Sequence, residues 1–427
     1  MAKKENRHAE LVSASANIEA PYELPERWKW ERLGNYITLL RGVSYKKEDA
    51  HSEKLENDCL IMRGGNIVEG SINLESDNVY VDKSLVSEIQ LIQKYDIIIV
   101  TSTGSSKVIG RAGVSKDNYN DVAFGAFLTL ARPNEFANKS YINHYFQSSL
   151  YRERIRQLAS GVNINNIRSE YITETPIPLP PTLAEQQRIV NLIETMFSKL
   201  DQAQEKAQAV LDSFETRKAA ILHKAFTGQL RIDNEELAIA DWEDTTIGEC
   251  IKLFSGQDFK PEDYNAEENG IPYITGASNF AENHVLINRW TSKPSVIAKK
   301  DDVLLVCKGS GYGKTIIADF EEAHIARQIM ALRIPKNISN RFILYFLQNN
   351  YEYLRNGGQG LIPGIARNIV LQMPIKLPPL NYQLSIVNCL DTVLEKESRA
   401  KEAAQTVLEQ IALLKKSILA RAFRGEL

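Results

Sequence analysis

Residues 221–230 read Ile-Leu-His-Lys-Ala-Phe-Thr-Gly-Gln-Leu, and residues 418–427 read Ile-Leu-Ala-Arg-Ala-Phe-Arg-Gly-Glu-Leu. Each decapeptide closes a long stretch without Pro or Gly. Upstream, Pro176-Ile177-Pro178-Leu179-Pro180-Pro181 matches Pro374-Ile375-Lys376-Leu377-Pro378-Pro379, and Ile189-Val190-Asn191 matches Ile386-Val387-Asn388. The starts of the two halves match as well. Trp28, Leu33-Gly34, Ile37, Leu39 and Gly42 correspond to Trp242, Ile247-Gly248, Ile251, Leu253 and Gly256, and Asp96 to Val100 corresponds to Asp302 to Val306. The chain therefore reads globule, helix, globule, helix. Two copies are too few for a solenoid and indicate an internal pseudo-two-fold repeat.

The helices carry the clearest pattern. From Thr182 to Phe226 the apolar positions are Ile189, Ile193, Met196, Leu200, Ala203, Ala207, Val210 and Phe214, with steps alternating four and three. The second copy gives Ile386, Leu390, Val393, Glu397, Ala400, Ala404, Val407, Ile411, Leu414 and Ile418. This is a heptad seam. A helix lying on its own globule is the competing reading, but two matched seams in one chain favour an intramolecular coiled coil. A helix of about 45 residues is about 68 Å long. The linker of about 15 residues after Thr227 reaches at most about 54 Å. A parallel pair would force the chain back along the whole helix, so the pair is expected to be antiparallel. Ala203, Ala207, Ala400 and Ala404 lie near the helix middles, where the pair would cross closely.

The globules read as mixed strand and loop. Ile97 to Val100 and Val303 to Val306 are β-branched runs bounded by Gly and Ser, which predicts strands. Residues 140–158 and 340–355 read as helical, and each globule ends in a Pro-rich hinge. The expected fold is α+β: two mixed α/β globules, 27–176 and 242–374, separated by two long antiparallel helices. Around them lie an N-terminal arm (1–26), helical regions at 177–230 and 375–427, and an acidic linker at 231–241.

Composition narrows the functional class. With 427 residues, 43% apolar and 25% charged, the chain is an ordinary globular protein of several domains. No apolar run is long enough to span a membrane. Met1 to Arg7 is charged, so no secretory leader is expected. The cysteines at 59, 250, 307 and 389 and the six histidines are scattered, without metal-ligand spacing. A reducing cytoplasm is the expected compartment. The net charge of −3 argues against a nucleic-acid binder only on average. Thr227 to Glu249 alone carries −6, which leaves +3 for the rest.

Lys308-Gly309-Ser310-Gly311-Tyr312-Gly313-Lys314-Thr315 approaches a phosphate loop but has Lys308 where the motif needs its first Gly, and no helical pattern follows. The matching loop, Thr101 to Lys107, has no such motif, so the shared role is a different one. Ile97 to Lys116 contains Lys107, Arg111 and Lys116 and no acid, and Val303 to Ala318 contains Lys308 and Lys314 and no acid. Flexible backbone with Lys and hydroxyls (Ser102, Thr103, Ser105, Ser310, Tyr312) suits phosphate and base-edge contacts. Solvated turns are the alternative. Further candidates are Lys46, Lys47, Arg63, Asn66, Asn163 and Arg168 in the first globule. In the second they are Gln257, Lys260, Thr275, Arg327, Gln328 and the stretch from Gln359 to Arg367. No catalytic constellation is recognisable: no amino-methylation tetrad, nuclease pattern, GxSxG or HExxH.

The assembled features resemble the DNA specificity subunit of type I restriction–modification systems. Leu24-Pro25-Glu26-Arg27-Trp28-Lys29-Trp30-Glu31-Arg32-Leu33-Gly34 carries the likeness. So do the Ile-Pro-Leu-Pro-Pro stretch followed by Leu183-Ala184-Glu185-Gln186-Gln187-Arg188-Ile189-Val190, and the ending Ala225-Phe226-x-Gly228-x-Leu230. The second copy departs from it, with Asn381-Tyr382-Gln383-Leu384-Ser385. The resemblance implies target recognition domains that each read half of a split site on double-stranded DNA. It implies helices that set the gap and dock two modification subunits. S-adenosylmethionine chemistry would lie in those subunits, and ATP- and Mg-dependent translocation in restriction subunits. This chain would be non-catalytic, bind no cofactor or metal and contact no membrane. A DNA-modifying enzyme with an unrecognised site and a coiled-coil scaffold that does not bind DNA are the alternatives.

Overall fold

The structure is a computed structural model that describes residues 20–68, 70–159, 166–232, 235–236, 242–281, 284–309, 311–356 and 364–427. Two compact units are present. One comprises the chain up to Ala207 together with Thr406–Leu427, and the other comprises Gln208–Gln405. Both boundaries fall inside long helices, Leu183–Asp212 and Leu380–Arg424.

In the first unit, Ile37–Arg41, Leu128–Pro133, Ile97–Val100 and Ala112–Val114 form an antiparallel sheet in that order. A second sheet orders Tyr80–Asp82, Asp58–Met62 and Val122–Phe124, the last two parallel. In the second unit, Lys252–Ser255, Ile329–Arg333, Val303–Val306 and Thr315–Ile317 repeat the first sheet. Ile271–Ile274 and Glu322–Ile325 repeat the parallel pair. The predicted helices appear as Lys139–Gln147 and Ser149–Ala159, and as Asn340–Asn349 and Tyr351–Asn356. Buried Asp96 takes Arg132 in a two-pronged ion pair, and buried Asp302 takes Arg333 in the same way. Both pairs sit at the same place in the repeat.

The Pro-rich segments are not hinges. Pro176–Leu179 pairs antiparallel with Lys29–Arg32, and Pro374–Leu377 pairs with Glu243–Thr246. Each is a two-stranded ribbon, where Pro is tolerated because every strand is an edge.

The repeated decapeptides end helices. Gly228 and Gly425 adopt left-handed φ values of 72° and 73°. The N–H groups of Gln229 and Glu426 reach back to the carbonyls of Lys224 and Arg421, both at 3.0 Å. This is a helix stop that favours Gly. The Phe before each stop is the anchor. In the first unit Phe423, fully buried, sits edge-on to Tyr141 and Tyr145 at 5.1 and 5.4 Å. In the second, Phe226 meets Phe342 and Phe346 at 5.1 and 5.6 Å. Each globule thus closes its core with the end of the other copy's helix.

The helix pairing is antiparallel inside each unit. In the first, Arg188 donates to the carbonyl of Leu427, and Asp201 takes the Lys415 ammonium. In the second, Arg217 pairs with Glu397, and Lys401 stacks over the Phe214 ring at 4.5 Å. The seam of the C-terminal helix differs from the heptad expectation. Ala400, Val407 and Leu414 are exposed, and Lys401, Leu408 and Lys415 replace them. The two half-buried lysines place their ammonium groups over the rings of Phe214 and Phe197. The first helix is interrupted at Ser213, whose hydroxyl bonds back to the Ala209 carbonyl and accepts from Arg217. Such back-bonding bends helices.

Gln186 and Gln383 do the same work in the two units. Their side-chain carbonyls accept the N–H of Asn138 at 2.7 Å and of Ser339 at 2.8 Å. Asn138 and Ser339 cap the Lys139–Gln147 and Asn340–Asn349 helices. The departure seen in the second copy therefore spares the glutamine that makes this bond in both units.

Truncating Phe423 to Ala is expected to cost about 3–5 kcal/mol. Denaturant titration reads the loss, and hydrogen exchange should speed up in residues 139–147. Unchanged exchange there would show that the ring does not hold that helix.

Candidate nucleic-acid interface

The candidate site is built where the two sheets of each unit meet. In the first unit the Val43 N–H donates to the Phe124 carbonyl, and the Gly125 N–H donates to the Met62 carbonyl. In the second, Gln257 donates to Ile325 and Ala326 donates to Ile274. The crossing is tight. A Cβ on Gly42 would lie 2.2 Å from the Gly125 carbonyl oxygen, and one on Gly256 would lie 2.1 Å from that of Ala326. This explains the matched glycines.

The loops that carry the candidate residues are pinned to this junction. The N–H groups of Thr101 and Ser102 both donate to the Phe127 carbonyl, and the Cys307 N–H donates to that of Gln328. Ser102 bridges to Asn166, and Lys308 bridges to Gly364. The N–H of Ile167 then closes on Thr101, and that of Ile365 on Cys307. Ser102 and Arg168, far apart in sequence, thereby line one cleft of about 780 Å³ together with Arg41, Ser44 and Asn166. Arg367 reaches Ser255 across the corresponding place in the second unit.

The remaining candidates separate into several kinds. Lys47, Lys107, Lys308, Lys314 and Arg168 are exposed, and none has an ion pair among the described residues. Thr103 and Ser105 belong to the same loop, where the Ser105 N–H donates to the Thr103 hydroxyl. Lys46, Lys260, Arg63 and Arg327 are exposed but paired, with Glu48, Glu262, Asp77 and Asp258. Exposed pairs of this kind are worth at most about 1 kcal/mol, so a phosphate can displace the acid.

Asn66 requires correction. It is fully buried; its carbonyl accepts the Arg63 N–H, and its amide donates to the carbonyls of Asn73 and Ser76. It shapes the loop and has nothing left for a base. Asn279 is its counterpart, accepting from the backbone and hydroxyl of Thr275. Arg111 is half-buried and donates to the Ile67 carbonyl, and Tyr312 packs on the core. Asn163, Ser310 and Gln359 lie outside the described residues.

Three positions that shape the candidate site escaped the sequence reading. Arg152 is buried and holds the Ser102–Lys107 loop from below, donating to the carbonyls of Ile109 and Lys107. Nothing in its helical context signals this. His324 is fully buried, stacked on Phe259 at 4.0 Å. Its Nδ1 faces the N–H groups of Ser295 and Val296, and its Nε2 bonds to the Gln257 carbonyl. Burial holds its pKa below the usual imidazole range, so the ring stays neutral and fixes Gln257. The third is Phe127, exposed at the junction itself.

The Lys308–Thr315 loop leads into the strand Thr315–Ile317, not into a helix, so no helix N-terminus stands ready to cradle a nucleotide phosphate. No group of three His, Cys, Asp or Glu side chains fit for a metal occurs among the described residues. No helix there is long and apolar enough to cross a membrane.

A junction built twice, presenting cations, hydroxyls and amides on fixed backbone, has the chemistry suited to a polyanion in each unit. The comparisons give the family. The type I restriction modification DNA specificity domain matches residues 25–211 and again 239–410. The chain belongs to the family of type I restriction–modification specificity subunits. It is 30% identical to the StySPI specificity subunit of Salmonella potsdam, over 95% of this chain and 90% of that one. It is 27% identical to the EcoKI specificity subunit of Escherichia coli K12, with the same coverage. In fold it is similar to a chain solved in a study of type I R-M complex assembly, with TM-score 0.77, 22% identity, and 95% and 100% of the two chains covered. The HsdS subunit from Thermoanaerobacter tengcongensis gives TM-score 0.63 at 23% identity, covering 96% and 100%.

If the Lys308 loop meets phosphates, replacing both Lys308 and Lys314 with Ala lowers the slope of log affinity against log salt by about 1.8, at about 0.9 per phosphate. DNA-binding titrations across salt concentrations measure it. An unchanged slope places the loop away from DNA.

Proposed function

We propose that each unit of this specificity subunit reads one half of a bipartite, asymmetric site on double-stranded DNA. The observation that carries this is the repeated junction. The same hydrogen bonds and the same close glycine crossing present different side chains in the two copies: Ser102 against Lys308, Arg63 against Thr275, Phe127 against Gln328. One frame with two sets of exposed groups is what two unequal half-sites require. The long helices set the unread gap and dock two modification subunits. Those subunits supply S-adenosylmethionine chemistry, and restriction subunits supply ATP- and Mg-dependent work. The chain itself is non-catalytic and binds none of these cofactors. Membership of a family whose relatives are named specificity subunits supports placing the chemistry in partner chains.

Two experiments test this reading. Replacing residues 242–373 with the matching domain of another family member is expected to change one half of the methylated motif in cellular DNA. A change in both halves contradicts independent reading. Inserting four helical residues after Ala207 adds about 6 Å of helix. At about 3.4 Å per base pair, the unread gap should lengthen by one or two base pairs with both half-sites retained. An unchanged gap in a folded, methylating complex shows that the helices are not the ruler.

A further inference from the structure

Phe127 is the part of the first junction that phosphate contacts and hydrogen bonding leave unexplained. It is the most exposed large apolar side chain among the described residues, 71% open to solvent. It does not sit on a loose loop. Its carbonyl accepts from the N–H groups of Thr101 and Ser102 and from the Thr101 hydroxyl. The Leu128 N–H closes the turn on Gly125, whose carbonyl lies against Gly42. An apolar ring held out on fixed backbone is costly in water and already ordered for a partner. Its surroundings point to a polyanion. Its neighbours Ala126 and Leu128 line the cleft that also holds exposed Arg41 and Arg168 with Ser44 and Asn166, two cations against the one carboxylate of Glu170.

The second unit holds Gln328 at the same position, its carbonyl accepting the Cys307 N–H at 2.8 Å. A glutamine amide can pair with a base edge; a phenyl ring has neither donor nor acceptor. The apolar feature that a duplex offers in the major groove is the thymine 5-methyl group. The geometry points to Phe127 as a specificity-determining residue that packs on a thymine methyl in the first unit's half-site, with Gln328 reading a base edge from the equivalent place. The inference rests on the DNA-recognition reading above.

The test uses the whole system expressed in cells, where mapping of methylated sites gives the motif. Phe127→Ala is expected to accept other bases at one thymine of a single half-site, with the other half unchanged. Phe127→Leu keeps apolar contact and keeps the thymine. Duplexes with that thymine replaced by deoxyuridine lose only the methyl group. The wild-type complex should bind them about fourfold more weakly, and the Phe127→Ala complex should not distinguish them. A motif unchanged at every position in Phe127→Ala overturns the inference. So does uniform weakening on all sequences, which marks a wedge or packing role. So does loss of methylation with DNA binding intact, which marks a protein contact. If the wild-type complex shows no sequence-specific binding, the recognition reading itself fails, so the two failures are distinguishable.

Discussion

The structure depends on an aromatic anchor used twice. Phe423 enters the tyrosine pair of the first globule, and Phe226 enters the phenylalanine pair of the second. Neither globule completes its core from its own contiguous chain. Leu419 and Ala422 are buried in the first core, and Leu222 and Ala225 in the second, beside these rings. A long helix therefore contributes to two cores, one near each end. Shortening, kinking or slipping it would change the core of a globule as well as the helix pair. The Gly228 and Gly425 stops belong to the same feature, since each lies two residues past its anchor and ends the helix there.

The junctions obey a second constraint, the close approach of backbone to backbone at Gly42 and Gly256. Strand ends from both sheets are bonded there, so exposed groups stand on backbone that is already ordered. Binding then costs little loop entropy. Buried groups beneath do the positioning: Arg152 under the first loop, Asn66 and Asn279 inside the neighbouring turns, His324 under Gln257.

Much of this was legible from residues alone. The strands at 97–100 and 303–306, the helix stops, the repeat and the antiparallel direction follow from β-branched runs, Gly placement and linker length. What was not legible has identifiable physical causes. Hydropathy counts Lys401 and Lys415 as polar, although both are half-buried and their charges rest on aromatic rings. Proline suggests a hinge until the partner strand shows that both strands are edges. Asn66 looks like a base reader because its amide chemistry is the same whether it faces a base or its own backbone. Phe127 escaped because nothing in the sequence separates an exposed aromatic from a core one, and only the fold shows its carbonyl bonded at the junction while the residue stays exposed.

The two copies also show what the frame permits. Arg132 with Asp96 and Arg333 with Asp302, Gln186 and Gln383, and the glycine crossings are the same in both units, and all of them are spent on folding. The positions that differ between the copies are the ones the frame holds outward. Their side chains make few contacts on which the core relies: Lys308 bridges through its backbone, as Ser102 does, and Phe127 and Gln328 both bond through their carbonyls. Since backbone groups do the holding, the side chain is free to change. A phenyl ring or an amide stands at one such place, and a hydroxyl or an ammonium at another, on the same backbone bonds. Recognition is thereby separated from stability within a single chain, which is the physical condition for a protein whose two heads read different sequences on the same architecture.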